Sequence, residues 1–411
     1  MPVGFVSIGG MIDVRRIATE REWDDLEGTW NGLVERMATP SVFLTFEWLR
    51  AWWDAYAAHV GAEGLHILVA SEGGRVIGLA PLCRATAPAY APGRLRCLRW
   101  IGAGSEDSDY LDFIIEGGRE REVAAAFFDH LAGEPWDVID LDLLRAGSPT
   151  VAPVREIAAA APYRVIAEDS ACTALDLPAT WDDYLRLLRP RFRTKLRSLL
   201  RRLPAEHDAS FDLCDDPATL AAELEELFRL HQARWEAAGE PGSFALPERR
   251  AFYQAIAARF LARGWLRFYR LRIAGRPAAY EFSFEHCGRL YYLQQGHEPE
   301  LAGLSVGTAL KAFVLRDCIE RGVRAYDFLG DDADHKLAWG AERGGCVRLQ
   351  VARPGSRTAW GLGVPRVVAR IRAGARARAP EPLMRVKRRI HARLLGLAPA
   401  RNGAHGSGEE D

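Results

Sequence analysis

One segment of this chain occurs twice. Residues 65–80 (LHILVASEGGRVIGLA) align without a gap to residues 266–281 (LRFYRLRIAGRPAAYE), an offset of 201 positions. Each copy reads as a strand, a tight turn containing glycine and a second strand, the pattern of a β-hairpin. The surroundings repeat as well. An aromatic-rich helical run precedes each hairpin, at 46–56 and again at 220–237. A further strand, helix and strand follow, at 95–101, 119–131 and 136–143 in the first half and at 289–295, 305–321 and 324–329 in the second. A chance hairpin match would not carry its flanking elements with it. The repeat therefore predicts two copies of one α+β unit, each a mostly antiparallel sheet flanked by helices. The expected layout is an extension at 1–10, a first domain at 11–170, a second at 171–352 and a basic tail at 353–411.

With 411 residues, 48% of them hydrophobic and 27% charged, the chain has material for two or three packed domains. Its net charge of −1 conceals an asymmetry: residues 353–401 hold 13 Lys/Arg against one acid, and residues 1–352 carry −10. An acidic body with a basic tail argues against a nucleic-acid-binding core. No window approaches the ~20 uninterrupted apolar residues of a spanning helix, and the N-terminus lacks the basic and apolar regions of a secretory leader. The seven cysteines are scattered and odd in number, which fits thiols in a reducing cytoplasm. Walker A, H-E-x-x-H, G-x-S-x-G and G-x-G-x-x-G motifs are all missing, which lowers the odds of nucleotide hydrolysis, zinc proteolysis and serine hydrolysis. The ten histidines form no ligand-spaced cluster, so no metal is expected.

Between the halves, residues 181–203 form a strongly basic helix pattern whose apolar positions Leu185, Leu188, Phe192, Leu196, Leu199 and Leu203 recur at three and four. Pro190 is expected to kink or divide it. In the tail, 364–373 and 383–395 carry short helical patterns. The second of these is basic and amphipathic, a candidate for contact with an anionic membrane. The bland reading of both basic runs is a solvated surface.

In the second half, Tyr291-Tyr292-Leu293-Gln294-Gln295-Gly296-His297, Ser305-Val306-Gly307-Thr308, Tyr326-Asp327-Phe328-Leu329-Gly330 and His335-Lys336-Leu337-Ala338-Trp339-Gly340 resemble the GNAT acyltransferase superfamily. More closely, together with Phe46–Trp53, they are similar to tandem-GNAT acetyltransferases of the CelD/BcsL-like group, relatives of the FemAB peptidyltransferases. The resemblance spans roughly residues 12–352. It implies acetyl-CoA or another acyl-CoA as co-substrate, with the pyrophosphate received at the helix start Ser305, Val306, Gly307 and Thr308. Backbone N–H groups at such an end attract phosphate; a simple cap by Ser305 is the alternative. The resemblance also places Lys336 at the acyl-transfer centre, against the alternative of a surface lysine paired with Asp331 or Asp334. A general base is sought among Glu281, Asp327 and His335. By alternation Glu281 shares a strand face with Ser283 and Glu285, opposite Phe282 and Phe284, so it is either that base or a solvent-facing residue. Asp140 holds the place in the first half that Asp327 holds in the second, which favours a structural hydrogen bond as much as catalysis. Tyr292 and Gln294, read as sharing one side of their strand, are expected to line the pocket.

The first half keeps the scaffold but enters its helix through the acidic Gly117-Gly118-Arg119-Glu120, a poor place for phosphate. It is expected to form the acceptor side, with Asp109 and Tyr110 touching the acceptor, and Arg191 and Arg193 are candidates to steer an anionic one. The expected activity is transfer of an acyl group from acyl-CoA to an amine or hydroxyl of a sugar or glycan precursor, in exopolysaccharide or cellulose biosynthesis. The protein is expected in the cytoplasm or at the inner face of the membrane. Aminoacyl transfer from charged tRNA and a silent scaffold of a polysaccharide assembly system are the alternatives.

Overall fold

The computed structural model describes residues 11–86, 95–237, 242–330 and 333–355; the expected tail helices, Asp331 and Asp332 lie outside them. The first half runs β1 (Asp13–Ile17), α1 (Glu20–Asp24), α2 (Glu27–Glu35), α3 (Phe46–Tyr56), β2 (Ala62–Glu72), β3 (Arg75–Thr86), β4 (Arg96–Trp100), β5 (Ile114–Ile115), α4 (Glu120–Ala132), β6 (Val138–Arg145), α5 (Val151–Ala160) and β7 (Arg164–Asp176). The second runs α6 (Trp181–Leu187), α7 (Pro190–His207), β8 (Ala209–Leu213), α8 (Leu220–Ala237), α9 (Pro247–Ala262), β9 (Leu266–Ile273), β10 (Arg276–His286), β11 (Arg289–His297), α10 (Val306–Glu320), β12 (Ala325–Gly330), α11 (Asp334–Leu337) and β13 (Glu342–Ala352). Both repeated hairpins form, β2–β3 and β9–β10, in matching register. Their two-residue turns take left-handed backbone at Gly73-Gly74 and Ala274-Gly275. Such turns match the twist of the flanking strands. Ala274 bears a steric cost there, of order 1 kcal/mol, that glycine avoids.

Pro190 does divide the basic helix. It starts α7 at its first turn, where its missing N–H costs nothing. Helix α9 has no counterpart among the elements expected from the sequence, although Phe252, Tyr253, Ile256, Ala257 and Phe260 recur at three and four and all are buried.

All strands join one mixed sheet in the order β1-β2-β3-β4-β6-β13-β7-β12-β11-β10-β9-β8, with β5 on β3. Read from either edge, the order of repeated strands is the same until the middle. There the halves exchange their last strands. The first half's β7 pairs with β12 of the second, and the second half's β13 pairs with β6 of the first. Strands β7 and β13 also pair with each other along eleven residues, from Ala174 opposite Glu342 to Arg164 opposite Ala352. The expected boundary at 170/171 falls inside β7.

Side chains reinforce this join. Trp48 of α3 meets Phe252 of α9 edge-on at 4.9 Å and Phe284 of β10 at 5.7 Å. Buried Asp107, in the loop after β4, accepts from Tyr56 (2.6 Å), Tyr253 (3.2 Å) and Arg249. Apart from Gly355, the described residues form one compact unit. None of their helices is long and apolar enough to cross a membrane.

Ending the chain after Gly340 should remove one of the two neighbours of β6 and the longer of the two pairings of β7. The expected outcome is loss of cooperative thermal unfolding across the whole protein, read by circular dichroism, because neither half closes its own sheet. The milder Leu349→Ala, at a fully buried β13 position, should cost about 2–5 kcal/mol in chemical denaturation.

Candidate functional site

The site begins where two parallel strands part. β11 and β12 pair only from Arg289 opposite Ala325 to Tyr291 opposite Asp327. Beyond that point β11 runs on to His297 and β12 to Gly330 without pairing with one another. Each arm carries a bulge just past the parting. In β11, Ser283 registers with Tyr292 and Phe282 with Gln294, so Leu293 has no partner on β10. In β12 the register against β7 jumps from Asp327 to Leu329, which takes left-handed backbone at φ 62°. Bulges bend a strand and re-aim its side chains.

The first bulge corrects an expectation. Opposed residues in an antiparallel pair share a face, so Tyr292 lies with Ser283 while Gln294 lies with Phe282 on the other side. Gln295, in register with Glu281, takes the α10 side instead, and its Nε2 donates to the Gly307 carbonyl at 2.9 Å.

Helix α10 starts beside the split. Residues 299–304 form a short 3-10 turn, and Ser305 turns left-handed at φ 54° with no side-chain cap hydrogen bond. Left-handed backbone departs from the extended conformation usual at an N-cap, so Ser305 does not act as the simple cap weighed from the sequence. The first turn holds Val306, Gly307 and Thr308 and contains no acid. A Cβ on Gly307 would come 3.4 Å from His297 Nδ1, and one on Gly303 would meet nothing within 4 Å. The helix dipole and uncapped N–H groups leave this end suited to an anion.

Further into the helix, Lys311, which was not among the expected site residues, joins Glu281 and Tyr292 in a buried polar cluster. Its Nζ donates to Glu281 Oε2 at 2.9 Å and to the Tyr326 hydroxyl at 2.7 Å, and it lies 3.4 Å from the centre of the Tyr292 ring. Tyr326 donates to Glu281 Oε1 at 2.6 Å, and Ser283 to the same oxygen at 3.2 Å. Burial lowers the Lys311 pKa from its ordinary value, and the Glu281 carboxylate partly restores it. Glu281 is fully buried, not solvent-facing, because α10 covers the strand face that alternation left open. The clue in the sequence was a lysine at an otherwise apolar helix position facing a strand glutamate.

Asp327 points to the opposite face and is also fully buried. It accepts from Tyr110 (2.8 Å), Arg289 (3.1 Å) and its own neighbour Leu329 N–H (3.0 Å), with Arg145 at 3.6 Å. Tyr110 is thereby buried and occupied in joining the halves, with the Arg145 guanidinium 3.8 Å over its ring. Asp140 occupies the matching place in the β4–β6 pairing and holds Arg348.

Two residues bracket the end of β12. Lys336 of α11 is buried, and its Nζ donates to the carbonyls of Phe328 (2.9 Å), Leu329 (3.5 Å) and Gly330. From the first half, half-buried Asp109 accepts the Gly330 N–H at 3.1 Å. Burial pushes the Asp109 carboxyl up to about 7, with Asp327 adding to the rise and the Gly330 N–H and Lys336 opposing it. His335 is exposed on α11. Arg191 and Arg193 lie in the first turns of α7, flanking Phe192, which meets Trp339 edge-on at 4.9 Å. Among the described residues no group of three or more His, Cys, Asp or Glu could hold a metal ion.

Residues 190–337 match the family model described as acetyltransferase (GNAT) domain. A search of curated proteins finds no match. Among solved structures, FemX is similar at 12% identity and a TM-score of 0.57, over 82% of this chain and 96% of that one. A conserved protein of unknown function from Bacteroides thetaiotaomicron VPI-5482 is similar at 15% identity and 0.52, over 84% and 100%. At such identities the likeness concerns the fold alone. The expected two-part α+β architecture stands, and the match to a GNAT acetyltransferase domain lies in the second half of the chain.

Proposed function

We propose that this protein is an acyltransferase that moves an acetyl or other acyl group from acyl-CoA to an amine or hydroxyl of a sugar, a glycan precursor or a related small acceptor. The observation that carries this reading is the bulged split between β11 and β12, opening beside an uncapped, acid-free start of α10. The α10 N–H groups receive the diphosphate, and Gly307 leaves room for it to approach the backbone. The thioester lies along the split, where a backbone amide at the Leu293 bulge polarises its carbonyl.

Asp109 serves as the general base. Glu281 and Asp327 are each closed in by hydrogen-bonded partners, whereas Asp109 stands half-buried at the mouth of the split with a carboxyl poised near neutrality. It takes the proton of the attacking amine or hydroxyl as the new C–N or C–O bond forms. The C–S bond then breaks, and the departing thiolate is protonated to free CoA. Lys336 fixes the end of β12 by gathering three carbonyls, which keeps Gly330 and hence Asp109 in place. The Glu281–Lys311–Tyr326 cluster forms the rigid floor under Tyr292. A second reading, aminoacyl transfer, is favoured by the shared fold with FemX and by the phosphate-facing turn having only Gly303 and Gly307.

Calorimetric titration tests the donor. Saturable acetyl-CoA binding that Gly307→Glu abolishes is the expected result; no binding to folded protein would reject this donor. Asp109→Asn should lower the transfer rate by about 10²–10⁴-fold. The wild-type rate should climb with pH to a plateau above about 7. Because the folded carboxyl holds its proton above the pH at which the unfolded one loses it, this group's contribution to stability falls as pH rises from about 4 to 7. Asp109→Asn should therefore stabilise more at pH 8 than at pH 5 in thermal melts. Glu281→Leu leaves the Lys311 ammonium buried and unpaired, and should cost about 3–5 kcal/mol; adding Lys311→Met should recover most of it.

A further inference from the structure

The solvent face of α7 is built unlike the other helices. Arg189, Arg191, Lys195 and Arg201 are exposed and Arg193 half-buried, and none has an acid within ion-pair distance among the described residues. Some exposed helix arginines elsewhere are matched, Arg229 with Glu226 and Glu298, Arg316 with Glu320, Arg321 with Asp317, and others, Arg21 and Arg155, stand singly; α7 with its N-cap gathers five such cations. On α7 itself only Arg197 and Arg202 have acids, Asp182 and Glu206. The uncompensated cations run from Arg189 to Arg201, twelve residue steps or roughly 18 Å of helix. Several stand four apart, a spacing at which like charges repel.

Folding does not require them. Buried Leu196 and Leu203 and the Phe192–Trp339 contact already hold the helix on the body. The cationic face also stands on a body that is acidic over residues 1–352. At its near end, in the corner between α6 and α7, Leu187 is 64% exposed between Arg186 and Arg189.

Together these features define one kind of partner. A cluster of cations spread over the solvent side of one helix asks for a dense array of anions, and a protruding leucine at its end asks for an apolar layer just behind it. A phosphodiester backbone supplies the first and not the second, whereas an anionic bilayer supplies both, in headgroups and acyl chains. We infer that the solvent face of α7, with Leu187 at its corner, docks the protein on an anionic lipid surface. Phe192 packs on Trp339, three residues from Lys336, so a docked protein would hold the split close to the membrane. This inference is independent of the donor assigned above.

The test uses the full chain and vesicle sedimentation with phosphatidylcholine alone or mixed with phosphatidylglycerol. Binding to the anionic vesicles only, weakened by salt, is expected. Combined Arg189→Gln, Arg191→Gln and Lys195→Gln should weaken it about a hundredfold. Leu187→Ser should weaken it about tenfold. Unfolding temperatures should not fall below the wild-type value, since all four side chains face solvent and the removed cations repel one another. No binding of the wild type to anionic vesicles would overturn the inference. So would equal binding by the triple variant, which would assign the contact to residues 356–411. Tight binding of bulk tRNA that ignores Leu187→Ser, without vesicle binding, would identify a nucleic-acid partner instead.

Discussion

The pairing of β7 with β13 across the middle of the sheet is the contact on which the other features rest. Each of these strands is the last of its own half, yet each completes the other half's sheet. Hydrogen bonds that would have closed two separate modules close one. This is why residues far apart in sequence meet at the centre, Tyr110 with Asp327, Asp109 with Gly330 and Arg249 with Asp107. The first half is consequently part of the site's frame as well as a second copy of its scaffold.

Within that frame the two strands at the site separate because each carries a bulge at the same level. A regular pair of parallel strands would stay joined by evenly spaced bonds. The bulges at Leu293 and Phe328 break the register, turn Gln294 away from the face of Tyr292 and Gln295 towards it, and leave a gap beside the α10 start. A gap between strands exposes backbone polar groups, and the surroundings are correspondingly stiff. Lys336 binds the carbonyls of one arm, and Gln295 ties the other to α10.

Charge is distributed by face. On the α10 side, Lys311 and Glu281 neutralise one another in the core, where an isolated charge would be prohibitive. On the other, Asp327 is ringed by Arg145, Arg289 and Tyr110. Asp109 alone among these carboxyls is held by a backbone N–H without a cation in contact, and its proton affinity rises accordingly. That difference sets the carboxyl proposed as the base apart from two that are held by cations.

The sequence by itself determined the repeated unit, most of its elements and the location of the α10 start. These follow from local chemistry: turn residues that accept left-handed backbone, apolar residues spaced at two or at three and four, and Pro190 dividing a helix. The helix 46–56 and the helix 220–237 were legible to the residue for that reason. Only the tertiary structure decided which copy each final strand would join, because pairing between strands far apart in the chain leaves no local signature. It alone decided the strand faces beyond Leu293, since a one-residue bulge inverts an alternation that looks regular in the chain. Likewise it made Glu281 a buried partner of Lys311 and brought Asp109 to the split, contacts 30 and 221 residues apart that no local pattern encodes.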